Sequence, residues 1–179
     1  MKPPVFDYIA PASIAAAIAA LAEAGGEAKV LAGGQSLMPM LNFRLLRPSI
    51  LVDINRIAGL GFITETAESV RIGALTRHFA LETSPLIAKH FPVLSAAMTH
   101  VAHLAIRNRG TIGGSLSHAD PAAELPMMAL LLDAELHAVA VSGTCMIAAR
   151  DFFLDTMTVA LDGAELLTEI VLPKLPLQT

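Results

Sequence analysis

Residues 105–126 read Ala-Ile-Arg-Asn-Arg-Gly-Thr-Ile-Gly-Gly-Ser-Leu-Ser-His-Ala-Asp-Pro-Ala-Ala-Glu-Leu-Pro. At the centre, Thr111-Ile112-Gly113-Gly114-Ser115-Leu116 sets a glycine pair ahead of a hydroxyl residue and a leucine. The same order occurs earlier, in Ala32-Gly33-Gly34-Gln35-Ser36-Leu37. Glycine admits positive φ and lets a ligand approach the backbone. Consecutive N–H groups in such turns make an anion-binding concavity, to which Ser or Thr adds a hydroxyl donor. Taken singly, each stretch also fits a plain tight turn. Taken together, the two suit a clamp on a pyrophosphate that needs few cationic side chains.

Between and around the glycine pairs the pattern is that of a mixed α+β chain. Ser13 is placed to cap a helix whose Ile14, Ile18 and Leu21 fall on one face. Gly25-Gly26 ends it. Lys29–Ala32 reads as a short strand running into the first glycine pair. An irregular stretch follows around Met38-Pro39-Met40, and Ile50–Ile54 reads as a buried strand. These elements make a first lobe, residues 1–57; residues 58–179 make a second. There, Gly61–Thr64 and Val70–Ala74 read as paired strands across a polar turn at Glu65–Ser69. Helical patterns run over Thr76–Glu82 and Pro92–Val101. The turn-rich second glycine region comes next, then a helix opened by Asp120-Pro121 and apolar through Leu125–Leu132. Leu136–Val141 and Thr144–Ala148 flank Ser142-Gly143, a hairpin signal. Glu165–Leu172 is a closing strand stopped by Pro173 and Pro176.

Composition narrows the function. The 179 residues carry 16 acidic and 12 basic side chains, a net charge of −4. That balance argues against nucleic acid, whose binding rests on phosphate neutralisation by Lys and Arg. Trp is lacking and Tyr8 is the single Tyr, which argues against an aromatic surface for stacking bases. Cys145 is the one cysteine, which excludes an internal disulfide and a cysteine-held cluster or zinc site. No apolar run reaches the roughly 20 residues of a membrane span. Ile14–Ala22 imitates a signal-peptide core, but Lys2 is the only early cation and Asp7 intervenes, so it reads as an amphipathic helix. The apolar, weakly charged character suggests a buried partner surface in addition to a core.

Other chemistries fail on their own residues. There is no Gly-x-Gly-x-x-Gly at the first strand–helix turn and no Gly-Lys-Ser/Thr. Both Gly-Gly-x-Ser and Gly-Gly-Ser runs miss the final glycine of a hydrolase elbow. His100, His103, His118 and Asp120 lack a metal-binding spacing. Asp120, Glu124 and Asp133 fit the N-terminal charge and surface of a helix. Arg107 and Arg109 fit either solvated turn charges or groups facing an anionic cofactor or a partner subunit. Cys145 reads as inert core, and Met38, Met40, Met127 and Met128 as gap-filling core.

The two glycine stretches resemble the flavin-binding loops of a known family. Ala32–Leu37, continuing Met-Pro-Met-Leu-Asn-Phe-Arg-Leu, is similar to the first flavin-binding loop in the FAD (medium) subunit of molybdenum hydroxylases. Residues 105–126 resemble the second. The specific likeness is to the aerobic carbon monoxide dehydrogenase group within the xanthine dehydrogenase family. Arg71-Ile72-Gly73-Ala74 with Thr76 and His78, then Ser84-Pro85-Leu86, then the strand from Glu165 to Pro173, fall in the family's order. The resemblance therefore covers nearly the whole chain.

It implies a two-lobed α+β FAD-binding domain of the vanillyl-alcohol oxidase (PCMH) type, with FAD between the lobes. It implies that Ala32, Gly33, Gly34, Gln35 and Ser36 hold the diphosphate, with Leu31 and Leu37 alongside. Thr111, Gly113, Gly114 and Ser115 would form the second clamp, with Ile112 packed there. Glu124 matches an acidic position that binds the adenosine portion. Thr76 and His78 lie near the flavin, and Val101 and Leu167 match apolar contacts. No residue of the chain need be catalytic, since the chemistry belongs to the cofactor. The implied role is cytoplasmic electron transfer, from an iron–sulfur subunit through FAD to an external acceptor, beside a molybdenum subunit. Members usually continue into a small C-terminal domain carrying a further flavin contact, and the likeness here stops near Leu175–Thr179. The alternative is thus a truncated, flavin-poor docking module of such a complex.

Overall fold

The structure, a computed structural model, describes residues 2–174. A three-stranded parallel sheet forms first. It comprises β1 (Asp7–Ile9), β2 (Ala28–Leu31) and β3 (Ile50–Asp53), with β3 in the middle. Helix α1 (Ile14–Glu23) crosses from β1 to β2 and α2 (Leu37–Asn42) lies between β2 and β3. Ser13 caps α1 by accepting from the Ala16 N–H at 3.2 Å. The helix stops where Gly25 and Gly26 take positive φ. Ala17, Ile18 and Leu21 are its buried stripe, as the i, i+4, i+7 spacing predicts.

The stretch around Met38-Pro39-Met40 is helical rather than irregular. Pro39 is the third residue of α2, within the first turn, where an N–H has no intrahelical acceptor to lose.

The larger sheet is antiparallel. Its strands are β4 (Ile63–Glu65), β5 (Ser69–Gly73), β6 (Glu135–Ala140), β7 (Gly143–Ala148) and β10 (Leu166–Pro173), in the order β4-β5-β10-β6-β7. The short pair β8 (Phe153–Asp155) and β9 (Thr158–Val159) stands apart. Helices α3 (His78–Thr83), α4 (Pro85–His90), α5 (Pro92–Met98), α6 (Leu104–Arg107), α7 (Ile112–His118) and α8 (Glu124–Leu131) run between β5 and β6, and α9 (Ala149–Phe152) between β7 and β8. Residues 84–90 give a capped helix of their own, with Ser84 accepting from the Ile87 N–H and Pro85 in the first turn. In the hairpin, Ala140 pairs with Gly143, so the two-residue turn is Val141-Ser142 rather than Ser142-Gly143.

The last strand of the sequence becomes the middle strand of this sheet. Its neighbours Leu166 and Leu167 point to opposite faces, and each enters a different core. Leu167 joins Ile72, Leu81, Leu94, Leu116, Met128 and Ile170 under the helices. Leu166 joins Leu60 and Leu75 against α1 and Val52 of the small sheet. This second cluster fastens the two sheets together and leaves a cleft beside it. Among the described residues no helix is long and apolar enough to cross a membrane.

Candidate functional site

The cleft between the two sheets has a volume of about 560 Å³. Its near wall is the turn from β2 into α2. Gly34 sits there at φ +71°, a region that disfavours side chains. The backbone N–H groups of Gly33, Gly34, Gln35 and Ser36 donate to no acceptor among the described residues. Gln35 folds back so that its amide donates to the Gly33 carbonyl at 2.9 Å. The result is a row of unpaired donors with no basic side chain in it.

The opposite wall is the start of α7, and it differs from the first. The second glycine pair is the first turn of a helix, not a loop. Its N–H groups are already used. Ile112 donates to the Thr76 carbonyl at 3.0 Å and Gly113 to the Ala74 carbonyl at 2.9 Å. Gly114 donates to the Thr111 hydroxyl at 3.2 Å and Ser115 to the Thr111 carbonyl at 3.0 Å. The expectation of two equivalent N–H concavities is therefore corrected: the first pair offers donors, the second lets a helix pack closely. A Cβ on Gly113 would lie 2.6 Å from the Ala74 Cβ, so glycine is what lets α7 dock on the end of β5. The Gly-Gly pattern hid this helix because glycine is a poor helix former, and the docking contact overrides that propensity.

Ala32, Gly33, Gly34, Gln35, Ser36 and Leu37 all line the cleft. So do Thr111, Gly113, Gly114 and Ser115 on the other side, with His78 and Leu167. Leu31 lies just behind, with its Cδ1 beneath Gly34. Ile112 and Val101 are buried in the core under the helices. Thr76 is buried and clips the chain ahead of β4, donating to the Phe62 carbonyl at 2.9 Å and accepting from its N–H at 3.1 Å. Glu124 opens α8 off the cleft wall, near enough to His78 to favour its protonated form.

His78 is only 6% exposed, and neither ring nitrogen has an aligned hydrogen-bond partner. Burial is the main effect and holds its pKa below the ordinary histidine value. The Thr111 backbone and Glu124 pull the other way, while Arg107 and Arg77 add to the lowering. The ring forms part of the cleft wall with both nitrogens buried.

Lys29 is the single Lys or Arg among the lining residues, whereas Asp120, Asp162 and Glu165 also line the cleft. An anion bound here must rely on the N–H row. Arg107 does not face the cleft; it pairs with Glu82 at 2.8 Å and donates to the Val101 and Ala102 carbonyls. Cys145 is half-buried on β7, 3.9 Å from a Glu165 carboxylate oxygen.

Residues 4–175 match the family described as "FAD binding domain in molybdopterin dehydrogenase". The chain belongs to that family. FAD is the cofactor of this molybdopterin-dehydrogenase domain. The chain is 49% identical over 176 residues to the 6-hydroxypseudooxynicotine dehydrogenase complex subunit alpha of Paenarthrobacter nicotinovorans, covering 98% of this chain and 60% of the relative. It is 39% identical to the carbon monoxide dehydrogenase medium chain of Hydrogenophaga pseudoflava, over 97% of this chain and 60% of that one. Among solved structures, carbon monoxide dehydrogenase from Hydrogenophaga pseudoflava superposes with a TM-score of 0.96 at 39% identity, covering 99% of this chain and 62% of that chain. Quinoline 2-oxidoreductase from Pseudomonas putida 86 superposes with a TM-score of 0.94 at 41% identity, covering 97% and 61%. The chain thus spans about three fifths of the length of these relatives, which are subunits of dehydrogenases and oxidoreductases.

The geometry fits the family's cofactor. The unpaired N–H row suits a diphosphate, and the glycines let the two walls and α7 pack closely around it, with no Cβ to part them. Sequence reading missed Asn55 and Arg77, which are hydrogen-bonded to each other outside the cleft lining. The signal for Asn55 was there in Val52-Asp53-Ile54-Asn55, a polar pair closing a buried strand.

Proposed function

We propose that this chain is the FAD-binding, electron-transferring part of a molybdenum hydroxylase complex working in the cytoplasm. It comprises two lobes, residues 1–57 and 58–179, of a vanillyl-alcohol oxidase (PCMH) type domain. The observation that carries the reading is the row of free N–H groups from Gly33 to Ser36, facing the start of α7 across the cleft. When bound, FAD supplies the redox chemistry, taking electrons from an iron–sulfur subunit and passing them to an external acceptor.

The chain's own residues bind, orient and shield. The N–H groups of residues 33–36 donate to the diphosphate oxygens. Such charge-assisted bonds stand in for a basic cluster, since Lys29 is the single Lys or Arg on the lining. The hydroxyl of Ser115 adds a donor from the second wall. Gly114 keeps that wall low enough for close approach. His78 contributes its largely buried ring to the cleft wall. Leu37 and Leu167 exclude water from the apolar part of the cofactor. Glu124, at the head of α8, would serve the adenosine portion. The partners are the iron–sulfur subunit and the molybdenum subunit, and substrate choice belongs to the latter.

Purification followed by FAD titration tests the reading. The expected result is one FAD per chain with oxidised-flavin absorption, lost on Gly34→Leu or Gly114→Leu in variants that keep their circular dichroism. Reduced two-cluster iron–sulfur protein should then bleach the flavin bands. A folded chain that takes up no FAD overturns the reading.

A further inference from the structure

The two cleft walls come from different sheets, and something must set the distance between them. Gly33 sits so close to the second wall that a Cβ there would lie 2.5 Å from the Arg109 carbonyl oxygen and 2.9 Å from the Gly110 Cα. Two side chains outside the cleft converge on this contact. Asn55 follows β3 and is held in an Asx turn. Asp53 Oδ1 accepts from both its backbone N–H, at 2.9 Å, and its Nδ2, at 2.7 Å. The other Asp53 oxygen accepts from the Tyr8 hydroxyl at 2.6 Å.

This leaves one orientation for the Asn55 amide. Its Nδ2 faces the Asp53 carboxylate and the carbonyls of Ala32, at 2.8 Å, and Leu31, at 3.4 Å. Its Oδ1 accepts from Arg77 Nη2 at 2.8 Å. Flipping the amide would set oxygen against three oxygens and nitrogen against a guanidinium. The other arm of Arg77 donates to the Arg109 carbonyl, the same oxygen that Gly33 abuts. A continuous polar link therefore runs from the first glycine turn, through Asn55 and Arg77, to the residue before Gly110-Thr111.

We infer that Asn55 and Arg77 form a latch between the sheets that sets the width and aim of the diphosphate slot. The inference rests on the proposed FAD reading, and both are positioning residues that do not touch the cofactor. The peptide between Ala32 and Gly33 is planar and trans, so its C=O and N–H point in opposite directions. Tying the Ala32 carbonyl to Asn55 aims the Gly33 N–H away from the latch. Tying the Arg109 carbonyl to Arg77 fixes the opposing backbone. Arginine suits this place because its planar fork reaches two acceptors at once, which a lysine ammonium on a flexible stem does not.

The test is FAD titration of the 179-residue chain and of Asn55→Ala, Asn55→Asp, Arg77→Lys and the Asn55→Ala/Arg77→Lys double variant. Fluorescence quenching reads affinity, and ³¹P NMR reads the bound diphosphate. Each single variant is expected to weaken FAD at least about tenfold, and the double no more than the worse single, because both cut the same link. Asn55→Asp keeps the acceptor for Arg77 but loses the donor to Ala32, so it should behave as Asn55→Ala. The ³¹P resonances of bound FAD should move in every variant, which a mere loss of folded protein does not cause. If the parent chain binds FAD and the single variants match it within about twofold, or the double variant multiplies the losses, the latch is overturned while the FAD reading stands. If the parent chain itself binds no FAD, the FAD reading falls and the latch with it.

Discussion

Gly33→Ala tests the close approach of the two walls most directly. The new methyl would lie 2.5 Å from the Arg109 carbonyl oxygen, 2.9 Å from the Gly110 Cα and 3.1 Å from the Arg109 carbonyl carbon. All three are backbone atoms, so no rotamer change relieves the clash. Ordinary contact begins near 3.4 Å, so the walls must part by roughly 0.9 Å. Overpacking of that kind costs about 1–3 kcal/mol of folding stability. The cost to FAD binding is separate. Hydrogen bonds to a charged group contribute about 1.5–3 kcal/mol each. A shift that misaligns two of the four N–H donors should lose about 3 kcal/mol, or about a hundredfold in Kd. The assay is urea unfolding of the apo chain together with FAD titration. Gly61→Ala serves as the control, because its methyl would meet nothing nearer than 3.9 Å. A Gly33→Ala chain that unfolds at the parent midpoint and binds FAD within about twofold would refute both the contact and the donor argument.

Other expectations follow from the same structure. Thr111→Ala removes the hydroxyl that accepts from Gly114 at the head of α7 and should cost about 1 kcal/mol in urea unfolding, with Thr111→Ser recovering most of it. Lys174 is the main reason the Glu65 carboxyl is held down to about 2, with Lys89 and His90 adding to the effect. A lowered folded-state pKa gives stability that is full above the ordinary carboxylate value of 4.5 and lost as pH falls toward 2. The stability gap between the parent and Glu65→Gln should therefore close across that interval when unfolding is followed against pH. Burial lowers the His78 pKa, so below the ordinary value of 6.5 the unfolded chain binds the proton more readily than the folded one. Stability of the apo chain should fall as pH drops below 6.5, and His78→Gln should flatten that part of the profile.

The sequence by itself carried most of the local structure and the identity of the first wall. The i, i+4, i+7 spacing of Ile14, Ile18 and Leu21, with Ser13 before and Gly25-Gly26 after, determines α1 from neighbouring residues alone. Gly33-Gly34 announces a turn because positive φ is a property of one residue and its neighbours. The second glycine pair stood out in the sequence, but not as a helix. Its shape depends on Ala74, Thr76 and Thr111, and the first two lie more than thirty residues away in sequence. Nor does any local pattern say that Leu166–Pro173 takes the middle of a sheet whose other strands lie before it, or that Leu166 and Leu167 face two separate cores. The Asn55–Arg77 link is the clearest case. Each residue alone is an ordinary polar side chain beside a loop. They meet only because the apolar cluster around Leu166, Leu75 and Val52 brings the two sheets to a fixed distance. Short-range sterics and periodicity act along the chain and can be read from it. Distances between walls are set by packing among distant residues, and the tertiary structure alone decided them.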